Sequence, residues 1–136
     1  MQKTTTTEAV VAKAALFGVA GWAAENLISG GGRYSPAFQG KHVPFLPSYA
    51  VGGLAVMSAA PYIEDWPMPI RAATYALLGT AVEFAGCQID RRVYDARSWD
   101  YGGSDALAKA TDGCVDWKHT ALWGLLGVVA EKTLLK

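Results

Sequence analysis

Four stretches of apolar residues alternate with polar segments along the chain, at about residues 9–28, 47–63, 66–89 and 117–135. A helix needs about 20 mainly apolar residues to cross a bilayer. The second stretch is the strongest, because residues 42–63 carry no formal charge if His42 is neutral. The pattern predicts an all-α fold, an integral membrane bundle of four transmembrane helices.

The segments between these stretches predict how the bundle is connected. A glycine-rich connection covers residues 29–41, a segment rich in Arg, Asp, Trp and Tyr covers residues 90–115, and a tight turn covers residues 64–66. Because successive helices alternate in direction, both long loops lie on one side, here called the loop end. No linker or internal repeat divides the chain, so residues 1–136 form a single transmembrane domain.

A soluble four-helix bundle is the alternative, since it also joins apolar helices by short loops. The fourth stretch suits it, because its uncharged centre covers only residues 119–130. A soluble amphipathic helix should carry a charged face, however, and the second and third stretches show almost none across their middles. The first stretch lacks an AxA-like cleavage site, so we expect a retained helix. The pattern favours the membrane.

The net charge and the absence of known motifs limit the classes of ligand and partner that we expect. The 12 basic and 12 acidic residues cancel, which argues against nucleic-acid binding. No P-loop, HExxH, GxSxG or GxGxxG motif is present, so we expect no ATP site, no metal and no cofactor. Cys87 and Cys114 are too few for a disulfide framework and form no CxxC pair, so both are interpreted as structural. The expected partners are membrane lipids and a homo-oligomer or larger membrane complex, although Trp66, Trp123 and the glycine stripes suit a monomeric bundle equally well.

Two glutamates interrupt the apolar stretches and are candidates for function. Glu25 and Glu83 share helix faces with glycines at spacings of three and four. An acid near the centre of a spanning helix costs about 2.5 to 3.5 kcal/mol on insertion scales, so it usually has a partner or a function. Arg91, Arg92, Arg97 and His119 are the expected partners. Alternatively, both glutamates only fix helix packing through hydrogen bonds to Asn26, Tyr or Trp.

Further polar residues fall at the same end of the predicted bundle. His119 is either a site residue or a satisfied interfacial histidine. The cluster of Trp99, Asp100 and Tyr101 either lines a pocket or anchors a loop at the interface, as amphipathic aromatics do. The candidate binding residues are therefore Glu25, Glu83, Arg92, Trp99, Asp100, Tyr101 and His119.

Basic residues are slightly more numerous at the loop end, with seven there and five elsewhere. The loop-end residues are Arg33, Lys41, Arg91, Arg92, Arg97, Lys109 and Lys118. By the positive-inside rule, this excess predicts that the long loops are cytoplasmic and that both termini lie outside. The expected location is a bacterial inner membrane.

Several local patterns, taken in order, resemble a known family. They are Gly21-Trp22 with Glu25, the PFLPSYAVGG run at residues 44–53, Glu83, Trp99-Asp100-Tyr101, Asp112-Gly113-Cys114, and Trp123-Gly124. Over about residues 14–129 the chain resembles the bacterial CmpB-like family, which is labelled as ABC-transporter permeases and has eukaryotic transmembrane-protein relatives. The resemblance implies a small multi-helix membrane protein. The chain departs from the family pattern at Ser48-Tyr49-Ala50 and at residues 116–119.

Three functional hypotheses follow. The first is a transport-associated protein that binds a lipid head group or small polar solute in a pocket at the loop end. The second is a membrane-embedded enzyme acting on a lipid, with Glu83 as general base and His119 or Asp100 as its partner. The third is a structural or assembly subunit in which the acids only fix helix packing.

Overall fold

The computed structural model describes residues 7–28, 37–38, 41–42, 47–93, 95 and 99–134 of the 136-residue chain. Within these ranges the chain forms five helices and one two-stranded sheet: α1 (Thr7–Ile28), β1 (Ala37–Phe38), β2 (Lys41–His42), α2 (Pro47–Ile63), α3 (Met68–Val93), α4 (Ala106–Ala110) and α5 (Trp117–Leu134). The predicted all-α class is confirmed. The antiparallel β1–β2 pair and the short α4 are additions within the two long connections.

The four long helices begin and end close to the predicted positions. The largest difference is in α3, which continues through Asp90, Arg91 and Arg92 to Val93. The tight turn before α3 is held from two sides: Trp66 N–H donates to the Ile63 carbonyl at 2.9 Å, and the Arg71 side chain donates to backbone carbonyls of the turn.

The helices pack as two pairs that α2 joins. α1 packs mainly against α2 and α3 mainly against α5, while α2 also contacts α3 and α5. Val56, Ala60, Ile63 and Tyr75 form an apolar cluster between α2 and α3. Trp123 of α5 lies where a Cβ on Gly79 would be and 2.5 Å from where one on Gly52 would be. Glycines on α2 and α3 thus leave space for one large aromatic side chain.

Helices α3 and α5 carry the same order of residue types, basic, aromatic, glycine and glutamate, and they run in opposite directions. At intervals of four, α3 presents Arg71, Tyr75, Gly79 and Glu83, and α5 presents His119, Trp123, Gly127 and Glu131. In the antiparallel pair, the ring of each aromatic packs against the glycine of the other helix. This short repeat was missed in the sequence, because it covers only one face of two helices and its meaning depends on their register.

Polarity is distributed in an unusual way across the described residues. Four acids are buried, namely Glu83, Asp90, Asp116 and Glu131, whereas many large apolar side chains are exposed, including Leu16 at 63%, Leu77 at 71% and Leu125 at 62%. Among the residues described, no helix is both long enough and apolar enough to cross a membrane. The four membrane-spanning helices therefore remain a prediction.

Candidate functional site

Glu83 occupies the centre of a polar cluster at the loop end of the bundle. Its side chain projects from α3 into the contact with α5 and is only 7% exposed. Tyr101, from the loop after α3, donates its hydroxyl to Oε1 at 2.5 Å, and Trp123 of α5 donates its indole N–H to Oε2 at 2.9 Å. Each carboxylate oxygen therefore has a donor, and Glu83 ties the loop to both helices.

His119 and Asp116 extend the cluster at the start of α5. Asp116 is buried, and its Oδ1 lies 2.7 Å from His119 Nδ1. The same oxygen accepts the backbone N–H of His119 at 2.7 Å, which satisfies a free donor in the first turn of α5. The His119 ring stacks on the Tyr101 ring, with centroids 4.1 Å apart.

The imidazole of His119 reaches solvent, as does the partly exposed Tyr101. The His119 side chain is 23% exposed, and within the described residues its Nε2 atom has no hydrogen-bond partner. We call Glu83, Tyr101, Trp123, His119 and Asp116 the Glu83 network. The buried carboxylate of Asp116 orients the imidazole through Nδ1, so that Nε2, on the other side of the ring, points away from Asp116.

The loop residues around Tyr101 are held by backbone contacts with the segment before α5. Tyr101 N–H donates to the Gly113 carbonyl at 2.9 Å, and the Trp99 indole N–H donates to the Cys114 carbonyl at 2.9 Å. Gly113 has φ +78°, and a Cβ there would overlap Asp100, so this position requires glycine.

A disulfide between Cys87 and Cys114 fastens this loop to α3. The Cα atoms are 5.6 Å apart, and both residues are almost fully buried beside Trp99 and Val115. Cys87 lies one helical turn after Glu83, so the bond holds the loop next to the network. Both cysteines have the structural role that was expected, whereas the sequence did not predict that they pair with each other.

Asp105 connects the two helices that begin in this region. Its Oδ1 accepts the N–H of Ala108, as the N-cap of α4, and its Oδ2 accepts the N–H of Trp117 at the start of α5. These backbone hydrogen bonds, first that of Ala108, lower the pKa of the half-buried Asp105 carboxyl, because they favour its charged form.

A second buried glutamate, Glu131, forms a related cluster at the opposite end of α3 and α5. Tyr75 donates its hydroxyl to Glu131 Oε2 at 2.5 Å, and Arg71 Nη2 lies 3.2 Å from Oε1. Arg71 also donates through Nη1 to the carbonyls of Glu64 and Trp66. The side chains of Glu131, Tyr75 and Arg71 are called the Glu131 network.

The structure brings together three of the seven candidate binding residues, namely Glu83, Tyr101 and His119. Trp99 is buried against the disulfide instead. Asp100 accepts the Gly102 N–H at 2.7 Å and lies 4.0 Å from Arg91. Arg92 is exposed on α3, and the side chain of Glu25 lies outside the described residues.

The hydrogen-bond partners of Glu83 are a tyrosine and a tryptophan. These are the residue types of the alternative interpretation, in place of the expected arginines. Two members of the network, Trp123 and Asp116, were missed as site residues. Asp116 precedes His119 by three positions, which is the N-cap spacing. Trp123 follows His119 by four positions and therefore lies on the same face of α5. In the part of the chain that is described, no group of three or more His, Cys, Asp or Glu residues could hold a metal ion.

The chain was compared with curated proteins, with solved structures and with models of protein families. Neither curated proteins nor solved structures match the chain. A family model described as "Putative ABC-transporter type IV", of the CmpB type, matches residues 14–136. The match covers nearly the whole chain, including every residue of both glutamate networks. The chain therefore belongs to this CmpB-type family.

Proposed function

We propose that the protein is a transport-associated membrane protein that binds a lipid head group or small polar solute at the Glu83 network. The transporter name of its family suggests the membrane. In this proposal α1, α2, α3 and α5 cross the bilayer, and the network lies near its surface, where both long loops begin or end.

Support for a membrane setting comes from the surface of the bundle. Large apolar side chains are exposed on each of the four long helices, for example Leu16, Leu54, Leu77 and Leu125. In water, apolar area favours burial by roughly 25 cal/mol per Å². Acyl chains remove this cost, and a protein surrounded by lipid places its ionisable groups in the bundle interior, as Glu83 and Glu131 are placed here.

The binding proposal rests on the contacts and the partial exposure of the His119 side chain. Its Nδ1 is engaged by Asp116 and its ring lies on Tyr101, while the side chain remains partly exposed. Nε2 is then available to accept a hydrogen bond when the ring is neutral, or to donate one when it is protonated. Phosphate, hydroxyl and carbonyl groups of lipid head groups or polar solutes fit such an atom.

Thermal unfolding in detergent, with and without added phospholipids of different head groups, tests this proposal. At least one head group should raise the melting temperature of the wild type by several degrees and leave that of His119→Ala unchanged. Tyr75→Phe is the matched control, since it removes a buried hydrogen bond from the other network. Its melting temperature should fall, but the lipid should still raise it. A full lipid response in His119→Ala would refute a site at His119.

A structural role is the second candidate, favoured by the hydrogen bonds of Glu83. Both of its oxygens already accept donors, and the Glu131 network repeats the arrangement at the other end. In this alternative, Glu83→Gln lowers stability and no variant changes a lipid response. The enzyme hypothesis gains less support, because both oxygens of its candidate general base, Glu83, already accept hydrogen bonds from within the protein.

A further inference from the structure

We infer that the loop end of the bundle faces an oxidising compartment, so that the Glu83 network takes its ligand from outside the cytoplasm. This inference rests on the proposed function, because it assumes that the bundle spans a membrane. It is opposite to the orientation expected from the basic residues. The observation that carries it is the buried Cys87–Cys114 disulfide.

The location of the disulfide in the bundle determines which end is meant. Cys87 lies in the last two turns of α3, and Cys114 lies just before α5. Both therefore lie at the end where α3 leaves the bundle and α5 enters it. The turn between α2 and α3, with Glu64 and Asp65, lies at the opposite end.

Redox chemistry assigns this end to one side of a membrane. Disulfides persist in oxidising compartments such as the periplasm or the cell exterior, whereas glutathione and thioredoxin keep cytosolic thiols reduced. The bond forms when the Cys87 and Cys114 thiols lose two protons and two electrons. A disulfide-bonded thiol oxidoreductase of that compartment accepts them by thiol–disulfide exchange and becomes a dithiol. The bond here is part of the fold, since Trp99 and Val115 pack on it.

The charge pattern opposes this orientation only weakly. The loop end has an excess of two basic residues, seven against five. Of those seven, Arg91 points into the protein, where its Nη1 pairs with Asp112 at 3.0 Å and donates to the Asp112 carbonyl at 2.7 Å. A bias of two residues decides topology less firmly than a buried covalent bond that the cytosol would not sustain.

The orientation has a consequence for the binding site. Tyr101 is fixed to the Gly113–Cys114 segment by a backbone hydrogen bond to the Gly113 carbonyl, and that segment is fixed to α3 by the disulfide. Oxidation therefore completes the Glu83 network after the loop has reached its compartment. The ligand must be one that is present on that side of the membrane.

Two variants of the full chain, each with one added cysteine, test the orientation. Ser104→Cys lies in the exposed loop before α4, and Asp65→Cys lies in the exposed turn between α2 and α3. Each is expressed in a Gram-negative bacterial host with the native cysteines retained, and separately with Cys87→Ala and Cys114→Ala to exclude mispairing. Intact and permeabilised cells are then treated with a membrane-impermeant maleimide. In parallel, the wild-type protein is treated with a thiol-alkylating reagent before and after reduction, to show whether Cys87 and Cys114 are free or disulfide-bonded.

We expect Ser104→Cys to react in intact cells and Asp65→Cys only after permeabilisation, with Cys87 and Cys114 reactive only after reduction. The reverse labelling, or free native thiols in cells, would overturn the inference while leaving the proposed function in place. Recovery of the protein in the soluble fraction would instead overturn the proposed function, and the inference with it. Cell fractionation on the same samples distinguishes the two failures.

Discussion

The two glutamate networks of the α3–α5 pair share a design and differ in how each is completed. In both, a buried carboxylate accepts a hydrogen bond from an aromatic residue of the facing helix, Trp123 for Glu83 and Tyr75 for Glu131, and that aromatic packs on a glycine of the glutamate's helix. Arg71 completes the Glu131 network from within the pair. The Glu83 network instead recruits Tyr101 from a loop and places the partly exposed His119 beside it. The Glu131 network is closed by the two helices alone, whereas the Glu83 network is completed by a loop, and it is there that we propose a ligand binds.

Removal of the disulfide should lower stability more than any other change, and it should loosen the Glu83 network but not the Glu131 network. Crosslinking a loop of about this length stabilises a protein by roughly 3 kcal/mol in the chain-entropy account. We expect Cys87→Ser combined with Cys114→Ser to lower stability by about that amount. Hydrogen exchange should accelerate at Tyr101 and its neighbours but not around Tyr75. Equal acceleration at both networks would contradict the separation of the two ends.

Alanine at the two glycines tests whether the shared design is real. A Cβ at Gly79 would overlap Trp123, and one at Gly127 would overlap Tyr75. Overpacking of this kind costs about 1 to 3 kcal/mol. Unfolding of Gly79→Ala and Gly127→Ala should therefore show losses of similar size. Gly103→Ala is the control, since its Cβ would meet Lys109 only at an ordinary 3.5 Å. A loss at only one of the two helix glycines would show that the networks are not equivalent.

Removal of the tyrosine hydroxyls should separate the closed network from the open one. Tyr75 is fully buried and Tyr101 is partly exposed. Loss of a buried hydrogen bond to a charged group costs about 1.5 to 3 kcal/mol, and water can replace the lost donor only where it has access. Tyr75→Phe should therefore lower the free energy of unfolding by more than Tyr101→Phe does. Equal losses, or a larger one for Tyr101→Phe, would mean that the loop closes the Glu83 network as tightly as the helices close the other.

The smallest effect concerns Asp105, which caps the helices beside the Glu83 network. Its folded-state pKa lies below the ordinary value of 3.8, so its stabilisation is present above that value and is lost as the pH falls through the lowered pKa. Asp105→Asn should melt below the wild type at neutral pH by a small margin. The margin should close under strongly acidic conditions. A margin that does not change with pH would show that the charge of Asp105 contributes nothing.

The main helices could be predicted because prolines and polar segments limit the apolar stretches. The end of α3 was placed too early, at residue 89, because charged residues suggested a membrane boundary. The helix continues because Asp90 is buried against the bundle and Arg91 reaches Asp112.

Much of the candidate site could not be predicted, for a physical reason. Glu83 and His119 are recognisable as polar residues in apolar helices, and Tyr101 as an aromatic residue at a boundary. The contact of Tyr101 with Glu83 depends on the path of a loop that has no periodic pattern. Whether Cys87 and Cys114 form a disulfide depends on the same path, since their positions in the sequence do not show that the two thiols meet.

The central claim, that the Glu83 network binds a ligand through His119, is tested most directly by native mass spectrometry of protein purified from membranes. The wild type and Tyr75→Phe should carry the same copurifying lipid or solute mass, and His119→Ala should lose most of it. The same bound mass on His119→Ala, or none on the wild type, would contradict the claim. The Glu83 network would then be a second structural clasp like the one around Glu131.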